Sequence, residues 1–194
     1  MKTLKSFMLL LFLITSLTFA QTNWEFDKAH TKIGFSVTHL VITDVEGKFN
    51  EFDGAIESPT DNFEDASITF SANIASIDTD NEKRDGHLKS DDFFNAEKFP
   101  KMTFKSKSMK KIEGKNYKLI GDLTIRDVTK EVKLDVVYNG TVNDPWGNTK
   151  AGFALEGVIN RFDYNLKWNT ALETGGLVVG EEVTILAKLE LTKK

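Results

Sequence analysis

The chain has 194 residues, of which 28% are charged, and a formal net charge of −4 at pH 7. It contains no cysteine, which excludes a disulfide framework, a thiol nucleophile and a thiolate metal site. An acidic chain also lacks the basic surface that nucleic-acid binding requires, so we expect no nucleic-acid partner.

The first twenty residues have the pattern of a secretory signal peptide. Lys2 and Lys5 precede an apolar run over residues 7–14, and Thr18-Phe19-Ala20 places small residues at the two cleavage-site positions. We predict cleavage after Ala20, which leaves residues 21–194 as one domain and, by removing two lysines, gives a net charge of −6. The sequence therefore predicts an exported protein, located in the periplasm or secreted.

The rest of the sequence alternates apolar and polar residues, with the period of two that is typical of strands with one buried face. Turn signals separate the alternating runs, among them Asn139-Gly140 and Asp144-Pro145-Trp146-Gly147. We predict about eight strands, at residues 24–27, 33–38, 48–56, 68–74, 117–125, 132–138, 153–159 and 183–191.

Short strands of this kind build either a closed antiparallel barrel or a sandwich. A closed sheet of about eight strands is just wide enough to be filled by side chains or to hold one small ligand. Gly121 and Gly157 fall at inward positions, where glycine either leaves room for a ligand or lets a strand coil sharply. Together with twelve phenylalanines in residues 21–194, these glycines suggest an aromatic-lined cavity.

One stretch, residues 79–104, departs from the strand pattern. Thr79 and Glu82 have the spacing of a capping box, which predicts the start of a short helix, and Pro100 prevents that helix from continuing. Three aromatic rings adjoin the charged residues of this stretch, namely Phe93, Phe94 and Phe99. We predict a plug whose rings face an apolar interior and whose ionic groups lie at its rim.

Seven motifs occur in a fixed order along nearly the whole of residues 21–194. They are DKAHTKIGFSVTH at 27–39, GKFNEFDG at 47–54, RDGHLKSDDFF at 84–94, FP at 99–100, GDLTIRDVTK at 121–130, DPWG at 144–147 and INRFDY at 159–164. In these motifs and their spacing the chain resembles the YceI-like proteins, secreted lipocalin-like barrels associated with binding polyisoprenoids and other long amphiphilic lipids.

The resemblance implies an all-β fold, a closed antiparallel lipocalin-like β-barrel with the helical segment near its mouth and an elongated apolar tunnel inside. It brings no catalytic residue set. We therefore expect no enzyme activity and no cofactor, with an amphiphilic lipid as the ligand.

Inward-facing rings and aliphatic side chains are the candidates for contact with the lipid tail, although each of them could equally be ordinary core packing. The predicted tunnel residues are Phe35, Phe49, Phe70, Phe93, Phe94, Phe104, Leu123, Phe153 and Ile159. Tyr164 and Trp168 are candidates for the head-group end, because amphipathic rings suit a boundary between wet and dry surroundings.

The three histidines, His30, His39 and His87, have two interpretations. Three imidazoles could ligate zinc and leave a fourth position open, as in a metal-dependent enzyme, although their spacing is not a ligand motif. The preferred interpretation assigns no metal and places two of them in a structural ionic cluster that ties the helical segment to the first strand. The members of this predicted cluster are Asp27, His30, Arg84, Asp85, His87 and Asp92.

The sequence therefore predicts a non-enzymatic protein that binds, sequesters or transports a polyisoprenoid, an isoprenoid quinone or a fatty-acid-like molecule outside the inner membrane. Transient membrane contact would allow ligand exchange, and the oligomeric state, including a homodimer, is left open. The alternatives are the metal-dependent enzyme and a stress-linked envelope barrel whose ligand is incidental.

Overall fold

The computed structural model describes residues 21–173 and 175–194, so the signal-peptide prediction lies outside the described residues. Strands dominate this part of the chain, with one α-helix and two short 3-10 helices. In chain order the elements are β1 (Thr22–Phe26), β2 (Lys32–His39), β3 (Thr43–Phe49), β4 (Phe52–Ser58), β5 (Ser67–Asn73), a 3-10 helix (Ile74–Ser76), β6 (Ile77–Asp78), α1 (Glu82–Lys89), β7 (Lys101–Glu113), β8 (Asn116–Ile125), β9 (Val128–Asn143), β10 (Thr149–Asn160), a 3-10 helix (Arg161–Tyr164) and β11 (Val179–Lys193). Within these described ranges, no helix is long and apolar enough to cross a membrane.

Eight of the strands form a closed antiparallel barrel in the order β1-β4-β5-β7-β8-β9-β10-β11, and β11 pairs back to β1. The long strand β11 pairs with two strands in succession, with β2 over Val179–Lys188 and with β1 over Leu191–Lys193. β3 pairs with β2 and then with the two-residue strand β6. The predicted closed barrel of about eight strands with one short helix is confirmed.

One of the strand predictions was wrong in detail, and one strand was missed. The run predicted at 48–56 is two strands, because β3 ends at Phe49 and β4 begins at Phe52. The thirteen-residue β7 was not predicted at all. Its alternation is hidden because a polar residue, Ser106, stands between the buried Phe104 and Met109, and a register shift follows it. The Ser106 hydroxyl accepts a hydrogen bond from the Ile68 backbone N–H at 2.8 Å, which satisfies its polarity.

The inward glycines do not open space for a ligand. A Cβ at Gly121 would lie 2.6 Å from the Lys105 carbonyl oxygen and would also collide with the Phe104 ring. A Cβ at Gly157 would collide with the Leu134 side chain. Room for a ligand, one of the two explanations given for these glycines, is therefore not observed, and each glycine instead lets neighbouring groups approach closely.

Helix α1 begins two residues later than the predicted capping box. Asn81 is the N-cap, and its side-chain oxygen accepts from the Arg84 backbone N–H at 3.0 Å. Thr79 lies before the helix, where its backbone N–H and hydroxyl both donate to one oxygen of Asp85. The Arg84 Nε–H in turn donates to the Thr79 hydroxyl at 2.8 Å. Thr79 therefore does not cap the helix; it holds the chain that precedes α1 in place through hydrogen bonds to Asp85 and Arg84.

The helical segment fills a gap in the barrel wall. β5 and β7 pair as far as Asn73 and Lys101, and the Ile74 N–H still donates to the Pro100 carbonyl at 2.9 Å. Beyond this point β6 pairs with β3, and no described backbone pairing joins β6 to β7. We call this gap the seam; α1 and the chain that follows it, to Pro100, occupy it.

Candidate ligand-binding cavity

An apolar cavity of about 190 Å³ lies inside the barrel. Inward side chains of the strands line it, and Leu88 from α1 and Phe93 from the plug add to its wall. Among the described residues that line it, Arg161 alone carries a charge. An engineered cavity of about 150 Å³ with a similar apolar lining stays dry and binds apolar molecules. The barrel interior can therefore hold hydrocarbon without displacing ordered water.

The cavity is elongated along β11. Val183, Ile185 and Leu189 line the same wall at alternating positions of this strand. Six residues of strand separate the first from the last, which corresponds to about 20 Å. The hollow is therefore long enough for an extended hydrocarbon tail.

The structure places the predicted tunnel residues on the wall of this cavity, with one exception. Those that line it are Phe35, Phe49, Phe70, Phe93, Phe94, Phe104, Leu123 and Ile159. Phe153 instead packs on Phe63 and Tyr138, with ring centroids 4.8 and 5.1 Å away, and it lines a smaller cavity of about 30 Å³. Contact of these residues with a ligand stays a prediction.

An aromatic cluster closes the barrel at the end away from α1. Phe63 is 1% exposed and its ring centroid lies 5.0 Å from that of Trp24. The Tyr117 hydroxyl donates to the Asn62 carbonyl oxygen at 2.8 Å, which holds the loop that carries Phe63 in place. Because this end is packed with rings, the cavity extends towards the end that carries α1.

The two residues predicted for the head-group end are not on the cavity wall. Tyr164 is 1% exposed, and burial raises the pKa of its hydroxyl to about 12. Trp168 packs edge to face on His87 and against Phe93, with ring centroids 5.2 and 5.6 Å away. The prediction that they form a boundary between wet and dry surroundings was wrong for Tyr164, because its hydroxyl does not reach solvent.

The single ionic cluster predicted from the sequence is divided into three sets. They are Asp27 with His30, Arg84 with Asp85 through Thr79, and His87 with Asp92 at 2.8 Å. The first set lies beside Glu190, near one end of β11. The other two sets lie at the α1 end of the barrel, where His87 packs on Trp168. Arg161 binds the carbonyl oxygens of both Trp168 and Val179, so this end lies beside Val179. Val179 and Glu190 are eleven residues apart on β11, about 35 Å along the strand. The helical segment and the first strand are therefore not tied together by ions.

Asp27 has a different partner, which the sequence pattern did not indicate. The Lys150 ammonium lies 2.6 Å from the Asp27 carboxylate and 3.3 Å from that of Glu190. The ion pair with Lys150, helped by His30 and the Ala29 N–H, holds the pKa of Asp27 well below its usual range. Asp27 and Glu190 in turn raise the pKa of Lys150. These contacts hold the connection between β1 and β2, which contains Asp27, against Lys150 of β10 and Glu190 of β11.

The histidines do not converge on a metal site. Among the described residues, one set of potential ligand atoms lies close together, and it contains Asp27, His30 and Glu190. The Lys150 ammonium already forms ion pairs with both carboxylates of this set, so it stands where a cation would bind. His39 lies at the far end of β2, opposite Val179. A zinc site built from His30, His39 and His87 is therefore incompatible with the fold.

We expect the Asp27–Lys150 pair to make stability depend on acid pH. A carboxyl whose folded-state pKa is lowered stabilises the protein above its unfolded pKa of about 3.9, and this contribution is lost as pH falls further. Because the pKa of Lys150 is raised in the folded state, the protonated lysine stabilises the folded protein below about pH 10, and this contribution is lost at higher pH. Asp27→Asn should lower the free energy of unfolding at pH 7 by about 2 kcal/mol and flatten its fall below pH 4.

Urea unfolding measured from pH 2 to pH 8 tests this expectation. Asp61→Asn is the control, since Asp61 is exposed and has no ion pair among the described residues. An Asp27→Asn profile parallel to that of the unmodified protein would contradict the assignment.

Two buried or half-buried arginines were missed by sequence reasoning. Arg126 donates to the Asp91, Phe93 and Asn165 carbonyl oxygens at 2.9–3.2 Å, so it joins the β8–β9 turn to the plug. Arg161 is 2% exposed and donates only to backbone carbonyl oxygens. The INRFDY motif contained Arg161, but alternation gives no reason to place a charged side chain inside a barrel.

Comparisons with known proteins agree with this geometry. The YceI-like domain profile matches residues 24–191. A UPF0312 protein of Staphylococcus aureus strain N315 is 40% identical over 172 residues, which cover 88% of this chain and 98% of that protein.

Solved structures give the same fold. The Campylobacter jejuni YCEI protein is 35% identical, covers 87% of this chain and 96% of its own, and superposes with a TM-score of 0.70. BcnA of Burkholderia cenocepacia, at 22% identity, has a TM-score of 0.74 over 85% of this chain and 98% of its own. A Saccharophagus degradans domain described as polyisoprenoid binding, at 13% identity, has a TM-score of 0.62 over 88% and 98%. By the domain match and the Staphylococcus relative, the chain belongs to the YceI-like family.

Proposed function

We propose that this protein is a non-enzymatic carrier or store for an amphiphilic lipid, namely a polyisoprenoid, an isoprenoid quinone or a fatty-acid-like molecule. The observation that carries the proposal is the elongated apolar cavity inside a closed barrel. The related domain described as polyisoprenoid binding supports the choice of ligand class. The signal-peptide pattern supports an exported location, in the periplasm or outside the cell.

Burial of hydrocarbon supplies the affinity. Each methylene removed from water contributes about 0.8 kcal/mol, so roughly twelve buried methylenes contribute about 10 kcal/mol. Association costs about 4–15 kcal/mol, which consumes a large part of this gain. We therefore expect tight binding only for tails that occupy most of the cavity length.

The experiment is native mass spectrometry of the protein purified from its own host, followed by lipid extraction. We expect a bound species whose mass corresponds to a lipid with a long hydrocarbon tail. Protein that is repeatedly empty and that also fails to bind added farnesyl or fatty-acyl probes would overturn the proposal.

Membrane contact for ligand exchange is part of the proposal, and the β2–β3 turn is the surface for it. Leu40, Val41 and Ile42 form this turn and are 36%, 63% and 81% exposed. It lies beside the cavity, whose wall includes Val37 and Val179. Because the chain is acidic, we expect this apolar turn to contact a zwitterionic bilayer rather than an anionic one.

The backbone of this turn supports a role other than stability. Leu40 and Val41 have φ values of 53° and 64°, and the Ile42 N–H donates to the His39 carbonyl oxygen at 3.2 Å. A β-turn with positive φ angles at both central residues favours Asn-Gly, and a β-branched residue there is strained. The sequence therefore keeps exposed apolar side chains at a cost in stability.

Replacing the turn by Leu40→Asn with Val41→Gly should separate stability from membrane contact. We expect the free energy of unfolding to rise by about 1–2 kcal/mol, because the strain is removed. Binding to phosphatidylcholine vesicles, measured by flotation, should fall several-fold. The control is Ile112→Ser with Trp146→Ser, which removes exposed apolar residues from the opposite end of the barrel. If the control loses vesicle binding and the turn variant keeps it, the membrane contact lies at that opposite end instead.

A further inference from the structure

Arg161 places one charge on an otherwise apolar wall. The residue follows β10 directly and is 2% exposed, yet its side chain lines the cavity. The cavity-lining neighbours at this end include Leu166 and Val179. A guanidinium in such surroundings is costly to bury unless its charge and its N–H groups find partners.

The partners that Arg161 has are neutral. Its Nε–H donates to the Gly180 carbonyl oxygen at 2.8 Å, and Nη1 donates to those of Leu166 and Trp168 at 2.6 and 2.8 Å. Nη2 donates to the Val179 carbonyl oxygen at 3.1 Å. A guanidinium has five N–H groups, so one N–H on Nη2 has no acceptor among the described residues.

The charge also lacks a carboxylate partner within ion-pair distance in the described part of the chain. Carbonyl dipoles hold the guanidinium in one orientation but do not neutralise it. Burial lowers the pKa of Arg161, although the side chain of arginine remains protonated in proteins. The cavity therefore has a fixed, buried, positively charged point at its α1 end.

We propose that Arg161 binds the head group of the lipid, and that the head group carries an electron-rich oxygen, with an anionic carboxylate or phosphate oxygen preferred over a neutral hydroxyl. This inference rests on the proposed lipid-binding function and adds the polarity and orientation of the ligand. The oxygen accepts from the free N–H on Nη2, and the tail extends past Ile185 to Leu189. The guanidinium is worth more here than in water because the surroundings have a low dielectric constant.

The test is a head-group series on one tail, using farnesyl phosphate, farnesoic acid, farnesol and farnesene with the unmodified protein. We expect the phosphate and the acid to bind at least about tenfold more tightly than farnesol, with farnesene weakest. Equal affinity for all four would overturn the head-group proposal and leave lipid binding intact. Binding of none of them would instead overturn the proposed function.

Variants then assign the preference to Arg161. Arg161→Lys should keep part of the preference for the acid over farnesol, whereas Arg161→Met should abolish it while farnesene still binds. A purely structural role predicts that Arg161→Met weakens all four ligands by the same factor. Lys167→Met is the matched control, since Lys167 is a nearby exposed cation. If Arg161→Met does not fold, the unmodified protein and Lys167→Met decide, because loss of the preference in Lys167→Met would also overturn the proposal.

Discussion

Ala187→Trp is expected to abolish lipid binding while the barrel remains folded. Ala187 lies on β11 between the inward residues Ile185 and Leu189, and its side chain lines the cavity. An indole at this position fills space that a hydrocarbon tail would occupy. Since each displaced methylene loses about 0.8 kcal/mol, loss of several of them weakens binding by at least about 100-fold. Titration with a fluorescent fatty-acyl probe measures the effect.

Lys188→Trp is the control for this substitution. Lys188 is the next residue on the same strand and is exposed, so the same indole there points away from the cavity. Lys188→Trp should bind the probe as the unmodified protein does. Thermal unfolding of both variants checks the fold, because overpacking of a filled core costs about 1–3 kcal/mol. Undiminished binding by a folded Ala187→Trp would show that the lipid lies elsewhere.

Gly121→Ala is expected to lower the stability of the barrel severely. The added Cβ would lie 2.6 Å from the Lys105 carbonyl oxygen on the neighbouring strand, and a backbone atom cannot move aside without disturbing the β7–β8 pairing. We expect a loss of about 3 kcal/mol or more, which for a domain of this size lowers the Tm by roughly 10 °C. Calorimetry or circular dichroism measures it.

The same substitution in the helix should have the opposite sign. Gly86 lies inside α1, and a Cβ there would meet nothing within 4 Å. Gly86→Ala should therefore raise the stability by about 0.5–1 kcal/mol through helix propensity and a less flexible unfolded chain. Similar stability losses in the two variants would contradict the steric explanation for Gly121.

Local patterns in the sequence were sufficient to predict most of the strands, whereas the choice of a closed barrel over a sandwich came from the resemblance to the YceI-like proteins. Alternation identifies a strand wherever inward residues are apolar, as in β8, where Tyr117, Leu119 and Leu123 are all buried. It fails in β7, where inward Ser106 is satisfied by a hydrogen bond from β5 that depends on the pairing of distant strands. Alternation also predicted which phenylalanines face the interior and line the main cavity. It could not predict that Phe153 lines a small separate cavity, because that depends on how distant residues pack.

The polar residues were predicted less well than the apolar ones, because their partners are remote in sequence. Asp27 was paired with residues of the helical segment, yet it binds Lys150, which is 123 positions away. Arg161 satisfies its N–H groups with carbonyl oxygens, which every residue offers, so no sequence signal distinguishes its partners. Side-chain chemistry alone identifies which residues need partners but not where the fold supplies them.

The seam makes the wall of this barrel mechanically uneven. Within residues 21–173 and 175–194, two residue pairs join β6 to the sheet, Lys48↔Asp78 and Phe49↔Ile77. Beyond β6 the cavity wall includes the side chains of Phe93 and Phe94, where no described backbone pairing continues. Rings can separate from one another without breaking a row of hydrogen bonds, so this side can open locally at far less free energy than the rest. Amide protons of residues 77–100 should consequently exchange with deuterium well before those of β8 and β9. Local opening of the seam would let a long hydrocarbon chain enter the cavity through the barrel wall, without passing lengthwise through the end of the barrel.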